Sequence, residues 1–173
     1  MIEDSETNTV EDAYENFISN HTYEEYSVDW DTSPEAYCIF DIDQDDTPEL
    51  LFRLQPELEE WMTIAIFSYD KSKNEIIFHC LAYGWGEINY SNKYQTLVIM
   101  DSNPYVGFGE EIFYLLDEHD LRRVFSVGWD SEDNTSIYYF YSDENFEQQI
   151  ITEDEEKSYE NDLIQFDFIP LTA

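Results

Sequence analysis

Residues 40–51, FDIDQDDTPELL, set Asp41, Asp43 and Asp45 at alternate positions, followed by Thr47, Pro48 and Glu49. Apolar residues on either side, over 36–42 and 49–54, read as two β-strands joined by an acidic loop. Oxygen atoms at positions 1, 3, 5, 7 and 9 of a tight loop are what a hard cation such as Ca²⁺ requires. The competing account is a hairpin loop whose aspartates accept hydrogen bonds from its own backbone amides.

The strand pattern continues outward from this loop. Segments 62–69 and 75–83 flank the polar turn 70–74 and predict a hairpin. Gly84, Trp85 and Gly86 mark a break, and 94–100 is the next strand, closed by a turn at 101–104. Strands at 111–116, 121–129 and 135–142 extend the meander, a turn is expected at 55–61, and 164–171 returns as a final strand. Before the loop, Val10, Ala13, Tyr14, Phe17 and Ile18 follow helical spacing behind Thr9 as N-cap. Near the end, Thr152 followed by Glu153, Asp154 and Glu155 fits a capping box opening a helix through about Leu163. The predicted fold is α+β, mainly an antiparallel β meander or sheet with a short helix near each terminus. Of the 173 residues, 1–8 read as a loose acidic tail and 9–173 as one β-rich domain.

Charge narrows the function. Forty-one acids against seven bases give −34, which repels nucleic acids and anionic membranes and favours cations or basic proteins as partners. A hydrophobic content of 42%, rich in Tyr and Phe, still predicts a packed, strand-rich chain. Residues 61–100 hold three acids and three bases, so the whole excess lies elsewhere. Adaptation to high salt would acidify every exposed surface, whereas this segregation points to acidic faces built by the terminal helices and later loops.

Cys38 and Cys80 read as buried thiols in neighbouring strands, with a disulfide between them left open. His79 reads as a packed or edge residue, and Asp117–Asp120, with His119, as a charged turn rather than a metal chelate. Nucleophile elbows, phosphate-cradling glycine loops and zinc-type spacings are missing from the sequence, so a non-enzymatic role is expected. No apolar run is long enough to cross a membrane as a helix, so membrane insertion is not expected. If Met1 is the native start the chain is expected in the cytoplasm, and if a leader was removed, outside the cell.

The run YCIFDIDQDDTPELLFR at 37–53 resembles the strand–loop–strand of exported β-domain proteins of Gram-positive gut bacteria, whose common form is D-I-D-G-D-G-x-P-E-L. IFSYDKSKNEIIF and ITEDEEKSYENDL are similar to that family's hairpin and acidic helix. The resemblance implies a Ca²⁺ loop of EF-hand-like type. Asp41, Asp43 and Asp45 would supply side-chain oxygens, Thr47 a backbone carbonyl, and Glu49 the ninth-position carboxylate. Gln44 and Asp46 stand where the family has glycine, which implies a weak site or a metal-free turn.

Two functions follow. The first is a polyanionic inhibitor that binds a basic protein, most concretely a DNA mimic blocking the nucleic-acid channel of a nuclease or defence enzyme. It is analogous in charge alone to anti-restriction and anti-CRISPR proteins, and an immunity protein would look the same. Its acidic face would comprise Glu11, Asp12, Glu15, Glu24 and Glu25, with Asp143, Glu144, Glu147, Glu153, Asp154, Glu155 and Glu156. The alternative is an exported calcium-loop β domain serving as a surface binding or adhesion module.

Overall fold

The computed structural model describes residues 9–26, 33–55, 61–103, 107–117, 120–131 and 137–171. The expected tail over 1–8, His119, most of the turn expected at 55–61, part of that at 101–104 and the first two residues of the strand expected at 135–142 lie outside them.

Helix α1 (Val10–Ser19) starts at Thr9, whose hydroxyl accepts the Asp12 N–H while the Asp12 carboxylate accepts the Thr9 N–H, both at 3.1 Å. Each satisfies a donor that helix geometry leaves unpaired. A 3₁₀ turn, Thr22–Glu25, follows. Strands β1 (Pro34–Phe40), β2 (Glu49–Leu54), β3 (Trp61–Asp70) and β4 (Glu75–Trp85) form antiparallel neighbours in that order, and β12 (Ile169–Pro170) pairs with the outer edge of β1. A second sheet runs β10 (Gln148–Ile151), β9 (Ile137–Asp143), β8 (Asp120–Ser131), β7 (Phe108–Asp117), β6 (Thr96–Asn103), β5 (Ile88–Ser91) and β11 (Leu163–Gln165), again antiparallel. Helix α2 (Glu153–Glu160) opens on the expected Thr152–Glu155 capping box. The fold is therefore α+β, with mostly antiparallel sheets and a helix near each end.

Side-chain alternation decides the layering. Leu50, Phe52, Leu54, Ala65, Phe67 and Tyr69 share one core with Val10, Tyr14 and Phe17 of α1. Their sequence neighbours Leu51, Ile64 and Ile66 face the other way, onto Ile88, Tyr90, Leu97 and Ile99 of the second sheet. Strand β2 is thus buried on both faces, which explains its unbroken apolar run. Beyond the second sheet, Phe113, Phe125 and Val127 form a third core. There Phe113 stacks on Phe125 at 4.3 Å, and Tyr159 of α2 stacks on Tyr94. The order is α1, five-stranded sheet, seven-stranded sheet, α2. Among the described residues no helix is long and apolar enough to cross a membrane.

Several expected boundaries change. Strand β4 runs through Gly84, where an added Cβ would come within 3.1 Å of the Ile99 side chain, and the chain turns only at Gly86, with φ +99°. The final strand divides: β11 pairs with β5 in one sheet, β12 with β1 in the other, and Phe166 and Phe168 between them enter the inter-sheet core. Strands β5 and β10 were not expected, and α2 ends at Glu160 rather than near Leu163. Cys38 and Cys80 are both free and are not on neighbouring strands. They end one cross-sheet row, Cys38–Leu51–Ile66–Cys80, at a separation of about 14 Å by strand spacing, beyond disulfide reach.

A carboxyl of β7 is buried at cost. Glu111 of β7 is 8% exposed, and its Oε2 has no hydrogen-bond partner among the described residues. Burial, then Glu160 and Glu156 of α2, push its carboxyl up from 4.5 to about 7. The stability linked to this group is complete below pH 4.5 and is lost as pH rises through 7. Glu111→Gln keeps the shape without the charge. It should flatten the loss of melting temperature between pH 5 and 8 and stabilise the fold at pH 8 by on the order of 1–3 kcal/mol. A variant whose pH profile matches the wild type would contradict this.

Candidate metal centre

Antiparallel pairing of Phe40 with Glu49 closes the acidic loop into a hairpin end. Gln44 (φ +59°) and Asp46 (φ +69°) both occupy the left-handed region, a backbone that glycine adopts freely and other residues adopt at a cost. These are the two positions at which the resembling family has glycine. Local hydrogen bonds hold the turn. Asp45 N–H donates to Asp43 Oδ1 at 3.2 Å, Asp46 N–H to Asp41 Oδ2 at 3.2 Å, and Thr47 N–H to Asp45 Oδ1 at 2.7 Å.

Gln44 adds an anchor that glycine could not supply. Its Nε2 donates to Tyr90 Oη at 3.1 Å, and its Oε1 accepts from Gln95 Nε2 at 2.6 Å. The loop is thereby tied to the seven-stranded sheet. Ile42, inside the loop, is 1% exposed in the inter-sheet core. Its N–H donates to Glu49 Oε2 at 2.8 Å. From the other side of the sheet, Tyr14 of α1 donates through Oη to the Pro48 carbonyl at 2.8 Å.

Three carboxylates converge within this frame. Asp41, Asp43 and Glu49 each offer an oxygen, and these oxygens lie within 4.8 Å of one another. Glu49 is 3% exposed; burial, then the charges of Asp43, Asp41 and Asp45, push its carboxyl up to about 8 against the pull of the Ile42 amide. Asp43 is raised too, by burial and then by Asp45. Asp41 Oδ1 is buried with no hydrogen-bond partner among the described residues. Three converging carboxylates, with an unpaired buried oxygen on Asp41, fit a divalent cation of the calcium type. Asp45 stands outside the converged group with its carboxylate on the Thr47 amide, and the Thr47 hydroxyl accepts from Lys71 Nζ at 2.9 Å.

A cleft of about 320 Å³ lies between this loop and the β3–β4 hairpin. Asp43, Asp45 and Glu49 line one side, and Ser68, Lys71, Ser72 and His79 line the other. His79 reaches it through a bulge: Ile66 pairs with Cys80 but Phe67 with Phe78, so His79 is the extra residue. Its Nε2 lies 2.7 Å from Ser68 Oγ. No change in the apolar pattern of β4 announces this bulge. Ser68, Lys71 and His79 therefore join the site only in three dimensions.

The acidic residues expected to form a partner face are divided. Glu11, Asp12 and Glu15 on α1, and Glu24 and Glu25 on the 3₁₀ turn, are exposed beside the five-stranded sheet. Glu144, Glu147, Glu153, Asp154 and Glu155 are exposed on the seven-stranded sheet's side, and Asp143 is half-buried, accepting the Asn145 and Glu147 amides. Glu156 does not belong to such a face. It is 7% exposed and turned toward the sheet, where Glu111 and Glu156 line a common cavity. Asp12 and Glu155 serve the helix caps.

No family model matches this chain, and no curated protein or solved structure does so either.

Proposed function

We propose that this chain is a non-enzymatic binding module whose first hairpin loop holds a divalent cation, Ca²⁺ by the chemistry of its donors. The observation that supports this is the convergence of Asp41, Asp43 and Glu49, with Glu49 buried and one Asp41 oxygen unpaired. A cation there would cancel the mutual repulsion of the three acids and fasten β1 to β2 at the edge of the cleft. Asp45 and Thr47 stand next to the converged group as further oxygen donors of the same loop. Because the loop is already tied to both sheets, tightening it would stiffen the cleft that it borders.

A second reading, the polyanionic inhibitor, is supported by the exposed acids at α1 and α2 in a chain of net charge −34. These acids lie on opposite outer layers, so each helix would engage a basic surface separately. Such a protein would be captured at low salt by a basic nucleic-acid enzyme and would compete with that enzyme's DNA or RNA. Its affinity would fall steeply as salt rises. DNA-binding nucleases that keep full activity in a large excess of the protein would remove this reading.

The cation reading is tested by thermal unfolding at pH 8. Saturation at about a hundred times the dissociation constant should add roughly 2.7 kcal/mol, or about 5–10 °C for a chain of this length. Mg²⁺ should do much less, since it demands a tighter octahedral shell. Asp43→Asn should abolish the response. Glu49→Gln should abolish it too, yet make the metal-free protein more stable at pH 8, because it removes a buried charge and keeps an acceptor for Ile42. Calcium responses that survive both substitutions would place binding elsewhere.

A further inference from the structure

The five-stranded sheet is incompletely closed at β1. Strand β12 pairs only with Ala36 and Tyr37, and among the described residues Cys38, Ile39 and Phe40 have no ladder partner on that edge. Leu171 N–H donates to the Glu35 carbonyl at 2.9 Å, so the backbone groups of Glu35 and Tyr37 point toward this edge. By the two-residue alternation of an antiparallel strand, the N–H and C=O of Ile39 point there too.

Beside that edge lies a groove of about 520 Å³, bounded by α1, β1 and the crossing from β11 to β12. Its lining is largely apolar and includes Ile18, Ile39, Phe40, Ile164 and Ile169, of which Ile169 is 53% exposed. The charged residues lining it are Glu11, Glu15 and Asp167, all acidic and exposed. An unpaired backbone edge, apolar walls and a one-signed rim occur at one place.

We infer that the open edge of β1 takes an extended segment of another protein as an added strand, one in which basic side chains alternate with apolar ones. Main-chain hydrogen bonds to Ile39 supply the attachment, and the alternation supplies selectivity. Side chains of one parity meet Glu11 and Glu15 on α1; those of the other meet Ile164 across the mouth of the sandwich. A second copy of this chain is disfavoured as occupant, because edge-to-edge pairing would set Glu11, Glu15 and Asp167 against themselves. The chain's own residues 1–8 carry three acids and no Lys or Arg and offer no complement to the rim. The groove is separate from the cation loop, and the proposal holds whether or not that loop takes metal.

The test is a titration followed by backbone-amide NMR, at about 0.15 M salt to suppress diffuse attraction. The probe is a six-residue peptide of alternating lysine and valine, capped at both ends. Saturable shifts are expected at Tyr37–Phe40 and around Ile164. The same peptide N-methylated at every residue keeps its charge but loses its donors, and should bind about tenfold more weakly. Combining Glu11→Gln with Glu15→Gln should also weaken binding several-fold, whereas Glu153→Gln with Asp154→Asn on α2 should leave it unchanged. Equal binding of the methylated peptide, or equal sensitivity to the α2 substitutions, would mean unspecific attraction to a polyanion and would overturn the proposal. So would the lack of any saturable shift at millimolar peptide.

Discussion

The hydrogen bond from the Ile42 amide to the buried Glu49 carboxylate, at 2.8 Å, is the contact on which the first hairpin depends. It holds a largely buried acid at the edge of the cleft, beside Asp41 and Asp43. The same bond holds Ile42 in the inter-sheet core while the rest of the loop reaches outward. Gln44 then ties the loop to Tyr90 and Gln95, and Tyr14 fixes Pro48 from the helical side. The loop is therefore a junction among α1 and both sheets, and the repulsion among its acids is set against all of those contacts. Folding tolerates that repulsion by raising the proton affinity of Glu49, and a cation would relieve it by direct coordination.

The same trade recurs on the opposite layer. Glu111 faces Glu156 and Glu160 beneath α2, and its carboxyl is again raised by burial and by its neighbours. The two sites differ in what surrounds them. Asp41, Asp43 and Glu49 converge on one point in a loop bordered by a polar cleft, whereas no such convergence occurs around Glu111 among the described residues. Net charge of −34 thus has different consequences at different depths. At the helix surfaces it is solvated and available to partners, and in these two places it is a source of pH-dependent strain.

Much of the architecture was legible in the sequence because local signals agreed with tertiary packing. The limits of β2, the turn at Asp70–Asn74, the N-cap at Thr9 and the capping box at Thr152 follow from residue type and spacing, and each recurs in the fold. The features without a local signal depend on distant partners. Strand β5 is short and partly polar in sequence, yet all four of its residues are buried by strands on either side. Gly84 looked like a break, but it is a close approach to Ile99. Phe166 and Phe168 suggested one continuous strand; instead they fill the core between two short ones. At the site, the spacing of Asp41, Asp43 and Glu49 was visible. The bulge that turns His79 into the cleft, and the role of Gln44 as an anchor, could not be read without the register of β4 and the position of Tyr90.

The proposed cation binding is localised at the 41–49 loop rather than spread over an acidic surface. Amide NMR spectra recorded before and after addition of Ca²⁺ at constant ionic strength test this most directly. Saturable changes confined to residues 41–49 and the facing residues Ser68 and Lys71 are expected, with α1 and α2 unmoved. Small, unsaturating shifts distributed over the exposed acids of both helices, with the loop unchanged, would contradict it.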